Sequence, residues 1–252
     1  AVVAFRTSLA AALLLILVVV FRRQYLYIYP AGLLGCGLAG TINGIGSIFY
    51  YLALGRLSVS VGQLLYSLYP LFLIIWFVID RQPPSRLTFL RLFLSTAGVI
   101  LLTSLDSQHV DWVGVVLMIS ASLMFAIHLP INQRVLLDIP APTVALYTLL
   151  AMSAVVVPVY LIFNHSLPVQ SPDWWPIFGL TLVTFASRLT LFLGIKKIGG
   201  MQTALLGLSE IIVSLVVSRL LLHDALLPIQ WLGAFLLCAS LILVGLDRVK
   251  PE

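Results

Sequence analysis

Nine runs of mostly apolar residues, each about twenty long and separated by short polar turns, govern what this chain can fold into. They lie at 2–20, 31–54, 58–79, 87–105, 113–132, 141–163, 175–195, 201–222 and 230–246. A helix rises about 1.5 Å per residue, so a run of about twenty residues spans a hydrocarbon core of about 30 Å. No water is present in such a core to pair with backbone N–H and C=O groups. Each run must therefore satisfy them along its own length, which only a helix does. A membrane barrel would need short alternating strands, and these runs are continuously apolar. Charged residues make up 9% of the chain and hydrophobic ones 61%, against roughly 25% charged in a soluble domain. The expected fold class is an all-α, polytopic membrane protein.

The basic residues orient the helices. Arg22 and Arg23 follow the first run, Arg81 and Arg86 the third, Arg134 the fifth, Lys196 and Lys197 the seventh, and Arg248 and Lys250 the ninth. The alternate loops carry only Arg56. Such a bias marks the cytoplasmic side, so the expected location is a plasma membrane (a bacterial inner membrane), multi-pass, with the C-terminus cytoplasmic. The net charge of +5 is spread over short loops rather than one face, which argues against nucleic acid as a partner. Cys36 and Cys238 both sit inside apolar runs and imply neither a disulfide framework nor a metal site.

The second half of the chain repeats the first at a spacing of 141 residues: Ala4 aligns with Ala145, Thr7 with Thr148, Leu52 with Leu193 and Arg56 with Lys197. After a one-residue slip the register continues through Leu90 and Leu232, Phe93 and Phe235, and Ile100 and Ile242. The loop holding Arg22 and Arg23 aligns with 164–171, which has no Lys or Arg, so the two halves are expected to insert in opposite senses. This gives two repeats, 1–105 with four helices and 106–252 with five. The partner of the helix at 113–132 would fall before Ala1, so the expected parent is an inverted repeat of two five-helix bundles, with nine of ten helices present here. A native nine-helix protein is the alternative.

Several segments carry a family resemblance. The first helix opens Phe5, Arg6, Thr7, Ser8; the next ends Tyr51, Leu52, Ala53, Leu54, Gly55, Arg56; the third contains Ser67, Leu68, Tyr69, Pro70. The second copy reads Phe192, Leu193, Gly194, Ile195, Lys196, Lys197 and then Leu208, Ser209, Glu210, Ile211. In these segments the chain resembles the drug/metabolite transporter superfamily, specifically its EamA-type branch. The resemblance implies a secondary transporter, an exporter of small polar or amphiphilic compounds, amino-acid-like or drug-like. Two departures stand out. Family members commonly carry Pro after the Glu of the ninth helix, where Ile211 stands here, and this removes the usual reason for a helix break beside Glu210. The acidic residues usual after the fourth and ninth helices are represented only by Asp80 and Asp224.

Polar side chains at membrane depth supply the candidate substrate- or proton-binding residues. Glu210 lies near the middle of its run, where insertion of a charge costs about 2.5–3.5 kcal/mol. Arg188 is expected roughly 10 Å deep and Glu210 roughly 14 Å, counted along their helices, so the two can meet as neighbours. Two readings stand: a structural ion pair, or a carboxylate lining a cavity that binds a cationic group or carries a coupling proton. Asn43, Gln63, Tyr66, Tyr69, Tyr147 and His128 are each an interhelical hydrogen bond or part of a sparse polar lining. Tyr69, 141 residues before Glu210, is expected to be its repeat equivalent. Arg6, Arg91 and Arg219 lie close enough to helix ends to reach the interface, with Arg6 also open to a cavity role through the family pattern. Gly35, Gly37 and Gly40 match the spacing of a dinucleotide loop, but no strand precedes them. Gly37, Gly40 and Gly44 are expected to allow close helix contact instead. Asn164, His165 and Ser166 form a weak glycosylation triplet.

No Gly-x-x-x-x-Gly-Lys loop, His-Glu-x-x-His or Gly-x-Ser-x-Gly motif occurs, so neither ATP-driven transport by this chain nor a recognisable hydrolytic centre is expected. The reading is therefore not an enzyme, with no cofactor, no metal and no catalytic residues. Its partners are a small-molecule substrate and the lipid bilayer, and its assembly is a monomer or homodimer. The alternative is a membrane-embedded enzyme or lipid-handling protein without an identifiable motif.

Overall fold

A computed structural model describes residues 2–57, 59–80, 85–102, 111–163, 174–217 and 228–244. Every regular element among the described residues is helical. In chain order they are α1 (Val2–Phe21), a single 3-10 turn (Arg23–Leu26), α2 (Pro30–Leu54), α3 (Val59–Tyr66), α4 (Tyr69–Ile79), α5 (Arg86–Leu102), α6 (Trp112–Asp138), α7 (Ala141–Phe163), α8 (Trp174–Ile198), α9 (Gly200–Gly207), α10 (Ser209–Val217) and α11 (Pro228–Val244). Helix occupies the described part of each of the nine expected runs, but the third and eighth are each broken into two pieces, α3 with α4 and α9 with α10. Among the described residues, six stretches are long and apolar enough to cross a membrane, from 19 residues at Val61–Ile79 to 27 at Trp112–Asp138. The chain is a polytopic all-α membrane protein. Arg81, the Asn164 triplet, Arg219, Asp224, Arg248 and Lys250 lie outside the described residues.

The helices group into two compact units, and these are not the two sequence halves. Unit 1 is Ala1–Phe49 with Ile127–Gly200, and unit 2 is Tyr50–Ala126 with Met201–Glu252. Two boundaries fall inside α2 and α6, and the third follows Gly200, the first residue of α9. In α6 the boundary at Ala126 is also the place where Pro130, lacking an N–H, gives the Ala126 carbonyl no i+4 partner.

In unit 1, α1 packs on α7 and α8, burying Ala10, Ala11, Leu14 and Val18. Phe5 meets Tyr160 and Trp174 edge to face, with ring centroids 5.6 and 5.5 Å away. The expected glycine contact holds at two of three positions. A Cβ on Gly40 would stand 2.5 Å from the Thr148 carbonyl oxygen and 2.6 Å from the Ala151 Cβ, and one on Gly44 3.2 Å from the Met152 carbonyl oxygen. Gly37 faces nothing within 4 Å and plays no such part. At the end of α8, Gly199 takes a positive φ of 83° and its N–H closes on the Ile195 carbonyl at 2.9 Å, the left-handed stop that glycine adopts without steric cost.

In unit 2, α5 and α11 pack so closely that a Cβ on Gly98 would lie 2.8 Å from the Gly233 carbonyl oxygen. This closeness overturns the expectation that Arg91 reaches the interface. Arg91 is fully buried. Its Nη1 donates to Gln202 Oε1 at 2.6 Å and its Nε to the Leu87 carbonyl at 3.3 Å, while its own carbonyl accepts from Ser240 Oγ at 3.0 Å. A guanidinium held by neutral acceptors on two helices has no need to extend toward water.

The turn before α6 is organised by Asp111. Its Oδ1 accepts from the N–H of Val113 at 2.8 Å, and its Oδ2 accepts from Arg56 Nη1 at 3.0 Å. Arg56 first, then the Val113 amide, hold its carboxyl below the usual aspartate range. A depressed folded-state pKa contributes stability that is complete above about pH 4 and is lost as pH falls through the lower folded value. The Asp111→Asn variant should melt slightly below the native chain at neutral pH and low salt, and the gap should close in acid. Gly40→Ala should lower unfolding free energy by about 1–3 kcal/mol through overpacking, while Gly37→Ala should not destabilise. Thermal melts of the detergent-purified variants check all three.

Candidate functional site

Four of the nine candidate side chains, Gln63, Tyr66, Tyr69 and Glu210, lie on or beside the two broken helices of unit 2. Each break follows from where the backbone groups go. In the first, the Leu68 N–H turns to the Leu65 carbonyl at 3.3 Å instead of the i−4 carbonyl of Leu64, and Ser67 Oγ donates to Leu64 O at 2.7 Å in its place. Pro70 cannot donate to the Tyr66 carbonyl, and Ser122 Oγ on α6 does so at 2.9 Å. In the second, the Leu208 N–H turns to Leu205 O at 3.2 Å, and the Ala204 carbonyl it leaves accepts from the Tyr69 hydroxyl at 2.6 Å.

This answers the question raised by the missing proline: α9 and α10 are broken without one. Gly207 ends α9, and a Cβ there would lie 2.5 Å from the Tyr69 hydroxyl oxygen. The two breaks differ by one residue. α3 and α9 end 141 apart, at Tyr66 and Gly207, whereas α4 and α10 begin 140 apart, at Tyr69 and Ser209. Beyond the break Glu210 therefore occupies the place of Pro70 rather than of Tyr69. Both are helix-start residues for different reasons: proline needs no N–H partner in a first turn, and a carboxylate there faces the positive end of the helix dipole.

Glu210 is an exposed residue whose Oε1 accepts from Gln63 Nε2 at 3.0 Å. Tyr66 follows Gln63 by three residues, on the same face of α3. Its ring centroid stands 4.9 Å from that of Tyr50, 5.5 Å from Phe125 and 5.9 Å from Tyr69. Tyr69 is buried and meets Phe125 edge to face at 4.9 Å. Gln63, Tyr66, Tyr69 and Glu210 are thus brought together. Tyr50 and Phe125 were missed, since nothing sets them apart in a sequence with 9 Tyr and 13 Phe.

The other five candidates belong to unit 1. Asn43 is buried on α2, and in the amide orientation that satisfies both side chains its Oδ1 accepts from Arg188 Nη2 at 3.0 Å and Nη1 at 3.1 Å. His128 is fully buried on α6, and its carbonyl accepts from Asn132 Nδ2 at 2.8 Å. Asn132 Oδ1 in turn accepts from Thr148 Oγ1 at 3.3 Å. The Tyr147 hydroxyl donates to the Leu26 carbonyl at 2.7 Å and so ties down the 3-10 turn. Arg6 is half-buried on α1. Within its own unit Arg188 has Asn43 as acceptor, as Glu210 within its unit has Gln63 as donor.

A sequence profile described as the EamA-like transporter family matches residues 112–246. No curated protein matches the sequence. A solved crystal structure superposes with a TM-score of 0.80 at 15% identity, covering 97% of this chain and 86% of its own. That likeness concerns the fold alone.

Replacing Tyr69 with Phe strands the Ala204 carbonyl in an apolar interior. The Tyr69→Phe variant should unfold with about 1–2 kcal/mol less free energy than the native chain, read by chemical or thermal denaturation in detergent.

Proposed function

This chain belongs to the EamA-like transporter family, and on that footing we propose that it is a secondary transporter of small polar or amphiphilic metabolites, exporting them across the plasma membrane by alternating access. The observation that carries the reading is Glu210 in the first turn of α10, immediately after a helix break in an apolar segment. A carboxylate at membrane depth is costly unless it is paired, protonated or facing water, and such residues commonly mark substrate or proton paths. Discontinuous membrane helices are the usual construction of such binding sites, because a break frees backbone groups and re-aims side chains without exposing them to lipid.

In this reading Gln63 orients the Glu210 carboxylate, and Tyr66 flanks it. The multi-pass chain has its C-terminus in the cytoplasm, on the side marked by Arg22, Arg23, Arg134, Lys196 and Lys197. The composition of the site favours a substrate with one charged group and an apolar body, since one carboxylate and several rings line it.

The test is flux. In proteoliposomes of the full-length protein, Glu210→Gln should reduce counterflow of a transported metabolite by roughly tenfold or more, with the same amount of folded protein recovered. Native-level flux in that variant would remove Glu210 from the mechanism.

A further inference from the structure

We propose that the junction of α3 and α10 is a subsite for organic cations in which Glu210 supplies the charge and the rings of Tyr66, Tyr50 and Phe125 supply an aromatic wall. It rests on the transporter reading for its use and on unit 2 alone for its geometry. Glu210 is exposed, with one carboxylate oxygen engaged by Gln63. The three rings are half-buried, and Tyr50 and Tyr66 are supported by packing against Ala53, Leu57 and Met118. Their centroids form a continuous row, Tyr50 to Tyr66 at 4.9 Å and Tyr66 to Phe125 at 5.5 Å. Gln63, the donor to that carboxylate, lies one helical turn before Tyr66 on α3.

The chemistry of these groups discriminates among ligands. A hard metal ion takes six or more oxygens, and this junction offers one carboxylate among hydrocarbon rings. An anion would be repelled by Glu210, and a neutral molecule would cover its charge without compensating it. A primary ammonium carries three N–H donors, each needing an acceptor. A tertiary or quaternary alkylammonium spreads its charge over carbon, needs few or no hydrogen bonds, and is attracted to the negative faces of the rings as well as to the carboxylate. That combination matches what Glu210, Tyr66, Tyr50 and Phe125 present.

Benzyltrimethylammonium is a suitable probe. Equilibrium dialysis of the purified full chain, with protein-free micelles subtracted, should give saturable binding. Glu210→Gln should weaken it roughly tenfold or more, and Glu210→Asp, which keeps the charge, should retain most of it. Tyr66→Leu should weaken it roughly 3- to 30-fold, with Tyr66→Phe close to native because the ring is kept. No binding above micelles, native affinity in both Glu210→Gln and Tyr66→Leu, or equal losses in all four variants would each overturn the proposal. Binding by a chain that moves nothing across vesicles would defeat the transporter reading and leave this site standing. Flux without binding of the probe would do the reverse.

Discussion

Backbone pairing in a solvent that cannot hydrogen-bond is the constraint from which the rest of this molecule follows. It makes every long apolar run a helix, and it makes any interruption depend on a substitute partner. The two interruptions here each have one. Ser67 and Ser122 take the carbonyls released around Pro70, and the Tyr69 hydroxyl takes the carbonyl released at Ala204. The break before Glu210 is thus held partly by a side chain from the other broken helix. Tyr69, read from the sequence as an interhelical hydrogen bond or part of a polar lining, donates its hydroxyl to the backbone just ahead of that carboxylate.

The helices were legible in the sequence because their cause is local: a run of apolar residues of bilayer length needs no distant information. The family was legible because several short segments keep its texture. The second break was not, since the visible signal, a proline after Glu210, is absent. What replaces it is a glycine and a hydroxyl 135 residues away in sequence. Arg91 misled for the same reason. Its nearness to a helix end suggested an escape to the interface, whereas its burial is decided by Gln202 and Ser240, 111 and 149 residues further on.

The polar residues chosen from the sequence divide along the same line. Gln63, Tyr66 and Glu210 were identified by the cost of polarity in an apolar run, and they do gather at one place. Tyr50 and Phe125 carry no such cost and left no mark, although their rings stand 4.9 and 5.5 Å from that of Tyr66. Gly37 and Gly40 look alike as letters and differ in what stands opposite them, which only packing reveals.

The interleaving of the two units has a consequence for biosynthesis. Every segment of unit 1 has been translated once Gly200 is made, whereas Tyr50–Ala126 must wait for α9, α10 and α11. During that interval Arg91 sits in a nascent chain without Gln202, and the carboxylate of Glu210 does not yet exist to meet Gln63. Gln63 and Arg91 are therefore translated 147 and 111 residues ahead of the side chains that meet them across unit 2.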